Sequence, residues 1–371
     1  MSNRFIATTS ALILSAGITL ADAPRVAVDI APVHSLVSKV MKGIGKPDLI
    51  IPAGASPHEY QLRPSEAKSI QDARLVFWIG EDLTPWLEKG LSSLAKEATV
   101  TTLLEVDGIE LLDFREGALF EAHDHDDHDD HDHDKHAKKD DHDDHDDHDH
   151  DKHAKKDDHD DHDDHDHDKH AKKDDHDDHD DHDHDKHAKK DDHDDHEGHG
   201  HGNHDPHAWL SPKIAKVWLN VIAAKLSEVD PKNAGTYFAN ANTARQDLDA
   251  LSEEINKIID PIRDKKFVVF HDAYQYFEKD FNISASGAIS LSDASDPSPS
   301  RLAEVRKRVF DESVKCVLAE PQFKKGLVKA VIEGTGSNTA VIDPLGIKLQ
   351  AGPSLYENLI RNLATNLAKC F

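Results

Sequence analysis

DPKNAGTYFANANTARQDLDALSEEINKIIDP, residues 230–261, carries an apolar stripe at Ala234, Tyr237, Phe238, Ala241, Ala244, Leu248, Leu251, Ile255, Ile258 and Ile259. Steps of three and four put these side chains on one face of an α-helix. Asp230 followed by Pro231 reads as a cap and first helical residue, and Pro261 closes the pattern. Some thirty residues of helix rise about 45 Å at 1.5 Å per residue. Such a helix is a spine, long enough to run the height of two lobes and join them.

On both sides of the spine short apolar, β-branched runs alternate with amphipathic helical ones. Before it, strands are expected at 25–30, 48–52, 75–80 and 99–104, with helices at 32–41, 64–72 and 84–96. A further helix follows residue 212, its apolar face formed by Ile214, Val217, Trp218, Val221, Ile222 and Leu226. Beyond the spine, FVVFH (267–271), ISASGAI (283–289), CVLAEP (316–321) and TAVIDPLG (339–346) are the strand candidates. Helices are expected at 274–281, 300–311, 324–333 and 355–370. Strands alternating with helices imply parallel sheets covered on both faces, with ligand loops at the carboxyl ends of the strands. The fold class is therefore α/β, two parallel-sheet lobes joined by one long rigid helix. Expected boundaries are a signal peptide at 1–21, an N-terminal lobe at 22–229, a linking helix at 230–262 and a C-terminal lobe at 263–371.

The N-terminal lobe is interrupted by a low-complexity run from His123 to His204, in which Lys-His-Ala recurs at 135, 152, 169 and 186, a period of 17 residues. The run holds 26 of the 30 histidines. It contains no aromatic or large aliphatic residue, so it has nothing to bury against the entropy of ordering it, and it reads as a disordered, metal-attracting tether. Imidazoles and carboxylates at this density suit Zn²⁺, Cu²⁺ or Ni²⁺ weakly and in many geometries. Residues 121–205 hold 38 carboxylates against 12 lysines, which accounts for nearly all of the net charge of −29. The remainder is close to neutral. Neither part supplies the basic stripe that nucleic acid requires, so no nucleic-acid partner is expected.

Arg4, the apolar stretch Phe5–Leu20 and the small residues Ala21-Asp22-Ala23 read as a secretory signal, too short for a membrane span, with cleavage expected after Ala21. No cysteine lies near that site, so no lipid anchor is expected, and the mature chain is expected as a soluble periplasmic monomer. Cys316 and Cys370 are the two cysteines; an exported pair favours a bridge, with two buried thiols as the alternative.

Outside the run stand His34, His58, His207 and His271. His58 sits in the Gly/Pro-marked loop GASPHEYQLRPSE (54–66), after a strand and beside Glu59. His207 lies in DPHAWLSP (205–212), ahead of a helix, and His271 ends the strand FVVFH. Three neutral imidazoles with a carboxylate or water complete a tetrahedral zinc site. His34, near a helix start, is expected at the surface or the cleft edge. Three histidines with a glutamate also describe a zinc hydrolase, but the chain has no HExxH and no GxSxG. No enzymatic activity is expected, therefore, and no organic cofactor.

GASPHEYQLRPSE, DPHAWLSP, FVVFHDAYQYFEKDF and VIDPLG, in this order around a His-rich insert, resemble the zinc-specific branch of the metal-binding solute receptors, which serves high-affinity zinc uptake ABC transporters. The resemblance spans essentially the whole mature chain. It implies that Zn²⁺ is the transported ligand, held in the cleft between the lobes by the residues matching His58, His207 and His271 and passed to an ABC permease in the inner membrane. It also implies a disulfide between Cys316 and Cys370. The fourth ligand stays open among Glu59, water and Asp343, with Glu59 or water ranked first. Manganese-selective relatives tend to replace the third histidine by Glu, and His271 is the softer, more zinc-like choice. The alternatives are a receptor for manganese or another divalent metal, and a periplasmic zinc buffer that works through the run alone.

Overall fold

In the computed structural model residues 23–115, 119–120, 204–290 and 296–371 are described. The expected signal segment and the His/Asp-rich run, apart from His204, lie outside them. The first sheet contains β1 (Val26–Val28), β2 (Asp48–Leu49), β3 (Leu75–Trp78) and β4 (Thr99–Thr102), all parallel, in the order β2-β1-β3-β4. The second contains β5 (Phe267–His271), β6 (Ala288–Ser290), β7 (Cys316–Ala319) and β8 (Asn338–Val341), also parallel, in the order β6-β5-β7-β8. Both sheets reverse direction of growth between their first and third strands. At such a switch point the connecting loops diverge and leave a crevice at the carboxyl ends of the strands. His271 ends β5 and Glu320 directly follows β7, so this pair sits at the switch point of the second sheet.

The first-lobe strands are flanked by α1 (Ala31–Val40), α2 (Pro64–Asp72) and α3 (Pro85–Leu94), followed after the insert by α4 (Pro212–Val229). α4 starts cleanly, because the Ser211 hydroxyl accepts the Ile214 amide and Pro212 occupies the first turn. Its buried face is Ile214, Ala215, Trp218, Leu219, Ile222, Ala223 and Leu226. Val217 and Val221, expected on that face, are only half-buried, and Ala215, Leu219 and Ala223 replace them.

The spine is α5 (Ala234–Ile259), 26 residues and about 39 Å long, extended by 3-10 turns at Pro231–Asn233 and Asp260–Ile262. Asp230 and Pro231 take the expected cap and first positions, at the leading 3-10 turn. The Asp230 side chain does not cap the first turn; it accepts the Asn233 side-chain amide at 2.6 Å and the Tyr237 hydroxyl at 2.8 Å. Tyr237, Ala241, Ala244, Leu248, Leu251, Ile255 and Ile259 form the buried stripe, whereas Phe238 points to solvent.

The second lobe adds α6 (Gln275–Phe281), α7 (Pro299–Asp311), α8 (Lys325–Ile332) and α9 (Leu355–Lys369). Alternation along β5 sends Phe267 and Val269 into the core shared with the spine, and Val268 and Phe270 into a second cluster with Val305, Val309, Val317 and Val331. The strand expected at 283–289 is pared to Ala288–Ser290. The reason lies in the close of α6, where Asn282 is left-handed, Ile283 donates to the Glu278 carbonyl and Ala285 donates to the Glu278 carboxylate. α9 returns across the molecule, with the Tyr356 amide donating to Ser35 in α1 and Arg361 paired to Glu254 of the spine. Cys316 and Cys370 are joined, stapling the end of α9 to the start of β7. No helix among the described residues is long and apolar enough to cross a membrane.

Candidate metal centre

His58 reaches the site on the loop after β2. That loop is tied down from both sides: Trp86 of α3 donates to the Pro57 carbonyl at 2.7 Å, and the Tyr60 hydroxyl donates to Glu66 at 2.7 Å. Glu66 also accepts the Arg63 amide at the start of α2, so one carboxylate fixes the loop to the helix. The Tyr60 and Trp86 rings meet edge to face.

His207 is buried, just ahead of the 3-10 turn Ala208–Leu210. Its Nδ1 lies 2.6 Å from Asp205 Oδ1, and the same oxygen takes the His207 amide at 2.9 Å. His271 is built the same way. Its Nδ1 lies 2.7 Å from Glu320 Oε1, and Gln322 donates to the other oxygen of Glu320. Asp205 and Glu320 are both buried. Carboxylates in this role fix the ring orientation and the tautomer, placing the proton on Nδ1 and making Nε2 the basic nitrogen that can coordinate a metal.

The three imidazoles stand together. Ring centroids of His58 and His207 are 5.6 Å apart, and those of His207 and His271 are 5.3 Å apart. Nitrogens at 2.0–2.1 Å from a tetrahedral metal would set such centroids about 5 Å apart. Among the described residues no group of three or more His, Cys, Asp or Glu side chains is already arranged to hold a metal ion, so the rings must turn or approach to share one. Glu59 is exposed beside His58. Asp343 accepts the amides of Leu345, Gly346 and Ile347, which makes it the organiser of its own loop. His34 is not with the others: it is half-buried and its Nε2 contacts the Pro47 carbonyl at 3.0 Å, an anchor for the strand-entry loop rather than a cleft residue.

Burial dominates the electrostatics behind the rings. It pushes Asp205 up to about 7, against the His207 amide and the charge of Arg115, which pull it down. Asp272, next to His271, is pushed up to about 6 by burial against the Arg115 guanidinium. Burial also holds the Tyr274 hydroxyl well above the usual phenol range, reinforced by Glu320 and Asp343. In the first sheet Asp29 bridges the switch point, accepting the Ile30 amide at 2.7 Å and the Ile79 amide at 2.6 Å, and burial pushes it up to about 7.

Reasoning on residue types singles out three histidines whose rings the fold brings near one another, and misses the carboxylates behind two of them. Asp205 carries a signal, a carboxylate two residues before a candidate ligand. Glu320 carries a weaker one, a carboxylate immediately after a buried strand. Arg115 carries none, because its partners lie more than 150 residues away.

The family model described as zinc-uptake complex component A, periplasmic, matches residues 26–370. The high-affinity zinc uptake system protein ZnuA of Brucella abortus is 42% identical over 345 residues, covering 93% of this chain and 91% of the relative. That of Paracoccus denitrificans is also 42% identical, over 351 residues, covering 94% and 92%. Among solved structures, a crystal structure of ZnuA superposes with a TM-score of 0.63 at 18% identity, covering 94% of this chain and 99% of that one. The SBP FpvC of Pseudomonas aeruginosa in complex with Mn²⁺ gives 0.65 at 18% identity, covering 94% and 98%. At that identity the structures report a shared fold.

Proposed function

The chain belongs to the periplasmic component A family of zinc-uptake complexes, and from that premise we propose that it is a zinc receptor: it takes one Zn²⁺ between its lobes and hands it to an ABC permease, without chemistry of its own. The carrying observation is the gathering of His58, His207 and His271, two of them held through Nδ1 by buried carboxylates. Glu59 or water completes the tetrahedron, in preference to Asp343, whose oxygens already serve three backbone amides.

Each element of the site has a part. The loop after β2 brings His58 from the first lobe. The turn before α4 brings His207, and the end of β5 brings His271 from the second. Asp205 and Glu320 aim their rings and raise their basicity. Imidazole binds metal as the neutral base, so affinity falls as pH drops through the ordinary histidine value of about 6.5. Release to the permease then needs only that the lobes part, because no single lobe holds all three rings.

In this reading residues 1–21 are a cleaved signal, 22–229 and 263–371 are the two lobes, and 230–262 link them in a soluble periplasmic monomer. The run at 123–204 gathers zinc weakly and raises its concentration near the tight site by tethering. Calorimetric zinc titration of the intact protein and of a form lacking the run tests this. A receptor keeps one tight site after the deletion; loss of nearly all binding would make the protein a buffer.

A further inference from the structure

Arg115 lies in the stretch between β4 and the His-rich run, and that stretch is fastened to the second lobe. The Leu112 amide donates to the Tyr276 hydroxyl at 3.0 Å, Gln275 donates to the Asp113 carbonyl at 3.0 Å, and the Phe120 amide donates to the Ser286 carbonyl at 3.2 Å. Within this strap the Arg115 guanidinium grips two carboxylates at once. Nη1 and Nη2 donate to the two oxygens of Glu278 at 2.8 and 3.0 Å, while Nε donates to both oxygens of Asp272 at 3.0 Å and Nη2 adds a further bond to Asp272. The ring of Phe120 covers its face, with the guanidinium carbon 3.7 Å from the centroid. All three polar side chains are largely withdrawn from solvent, at 16% exposure for Arg115, 2% for Asp272 and 5% for Glu278.

Buried carboxylates are tolerated only when paired, and a planar fork that satisfies two of them fixes both in direction as well as charge. Asp272 is the residue after His271. Glu278, the other jaw, is locked in turn by the Ala285 amide. The clamp therefore joins three pieces of chain: the strap from the first-lobe sequence, the end of β5 that presents His271, and the close of α6.

We infer that Arg115 is a positioning residue for the metal site: through Asp272 it holds the end of β5 so that the His271 ring, supported by Glu320, faces His207. This rests on the assignment of His271 as a ligand. Lysine supplies the charge but not the fork, so it fills the role only in part.

The test compares Arg115→Met, Arg115→Lys, Val309→Ala and His271→Ala in the full mature protein, measuring zinc affinity by chelator competition and thermal midpoint on the same samples. Val309 is buried on α7 in the second-lobe cluster, takes no part in the clamp, and serves as a control for loss of core packing. Arg115→Met is expected to weaken zinc binding about 10–100-fold, the range seen when a group supporting a ligand is removed. Arg115→Lys is expected to fall between that and the wild type, and Val309→Ala to stay within about twofold of the wild type. Both Arg115 variants binding within twofold of the wild type, or Val309→Ala losing as much as Arg115→Met, would overturn the inference. His271→Ala separates the two claims: if it binds zinc as the wild type does, the ligand assignment itself falls. If His271→Ala loses the tight site while the Arg115 variants keep it, only the positioning role is wrong.

Discussion

Replacing Cys316 and Cys370 together by alanine removes the staple between β7 and α9. The two residues are 54 apart in sequence and both are buried, and the carbonyl of Cys370 accepts the side chain of Asn338 in β8, so three elements meet at the bridge. In the chain-entropy model a loop of that length restricts the unfolded chain by about 14 cal/mol/K, or about 4 kcal/mol at 25 °C. Against a net stability of roughly 5–15 kcal/mol for a folded domain, that is a large share. The bridge lies at the amino end of β7, whereas Glu320 follows its carboxyl end, so the zinc site is expected to survive. Urea unfolding with and without zinc measures both effects. The double variant should lose about 4 kcal/mol with a somewhat larger m-value, since its unfolded chain is no longer cross-linked. Zinc at a hundred times Kd should add about 2.7 kcal/mol to either protein. A loss under about 1 kcal/mol would refute the loop-entropy reasoning, and a missing zinc increment in the variant would refute the separation of staple and site.

Three further outcomes are expected. Glu320→Gln keeps the shape behind His271 but removes the charge, so zinc affinity should fall about 10–100-fold, or about 1.4–2.7 kcal/mol, by chelator competition; an unchanged affinity would contradict the role given to Glu320. Asp29, with a folded value of about 7 against 3.8 in the unfolded chain, carries a proton in the fold that the unfolded chain has released, so its contribution to stability is present below about pH 4 and is lost as pH rises to about 7. The advantage of the metal-free wild type over Asp29→Asn in urea melts should accordingly shrink between pH 4.5 and pH 7.5, and a gap that widens would contradict it. His34→Ala should cost about 1 kcal/mol through the lost contact with Pro47 and leave zinc titration unchanged.

Much of this architecture is legible in residue patterns, for identifiable reasons. Strands β1, β3, β5, β6 and β7 are buried along nearly their whole length and so stand out as apolar runs, whereas β2, β4 and β8 are largely exposed; FVVFH coincides with β5 to the residue. The spine is legible because one side of it is buried along its whole length and Asp230-Pro231 marks its start, although the Asp230 carboxylate goes to Asn233 and Tyr237 rather than to a first-turn amide. The segment 283–289 looks like a strand by composition, but its first amides are taken by Glu278. The three histidines are legible because each follows or ends a strand or precedes a helix. Their supports are not, since Glu320 meets His271 across 49 residues and Arg115 meets Asp272 across 157. A side chain's long-range partner has no local periodicity to betray it.

The central claim, one zinc ion held by His58, His207 and His271, is tested most directly by zinc K-edge X-ray absorption on protein lacking residues 121–203 and loaded with one equivalent. Deletion leaves five histidines, at 34, 58, 204, 207 and 271, so the scattering shell reports the tight site alone. Three imidazoles at about 2.0–2.1 Å with one oxygen are predicted, falling to two imidazoles in His58→Ala, His207→Ala or His271→Ala and unchanged in His34→Ala. A shell with fewer than three imidazoles, or one that none of the three substitutions alters, would contradict the account.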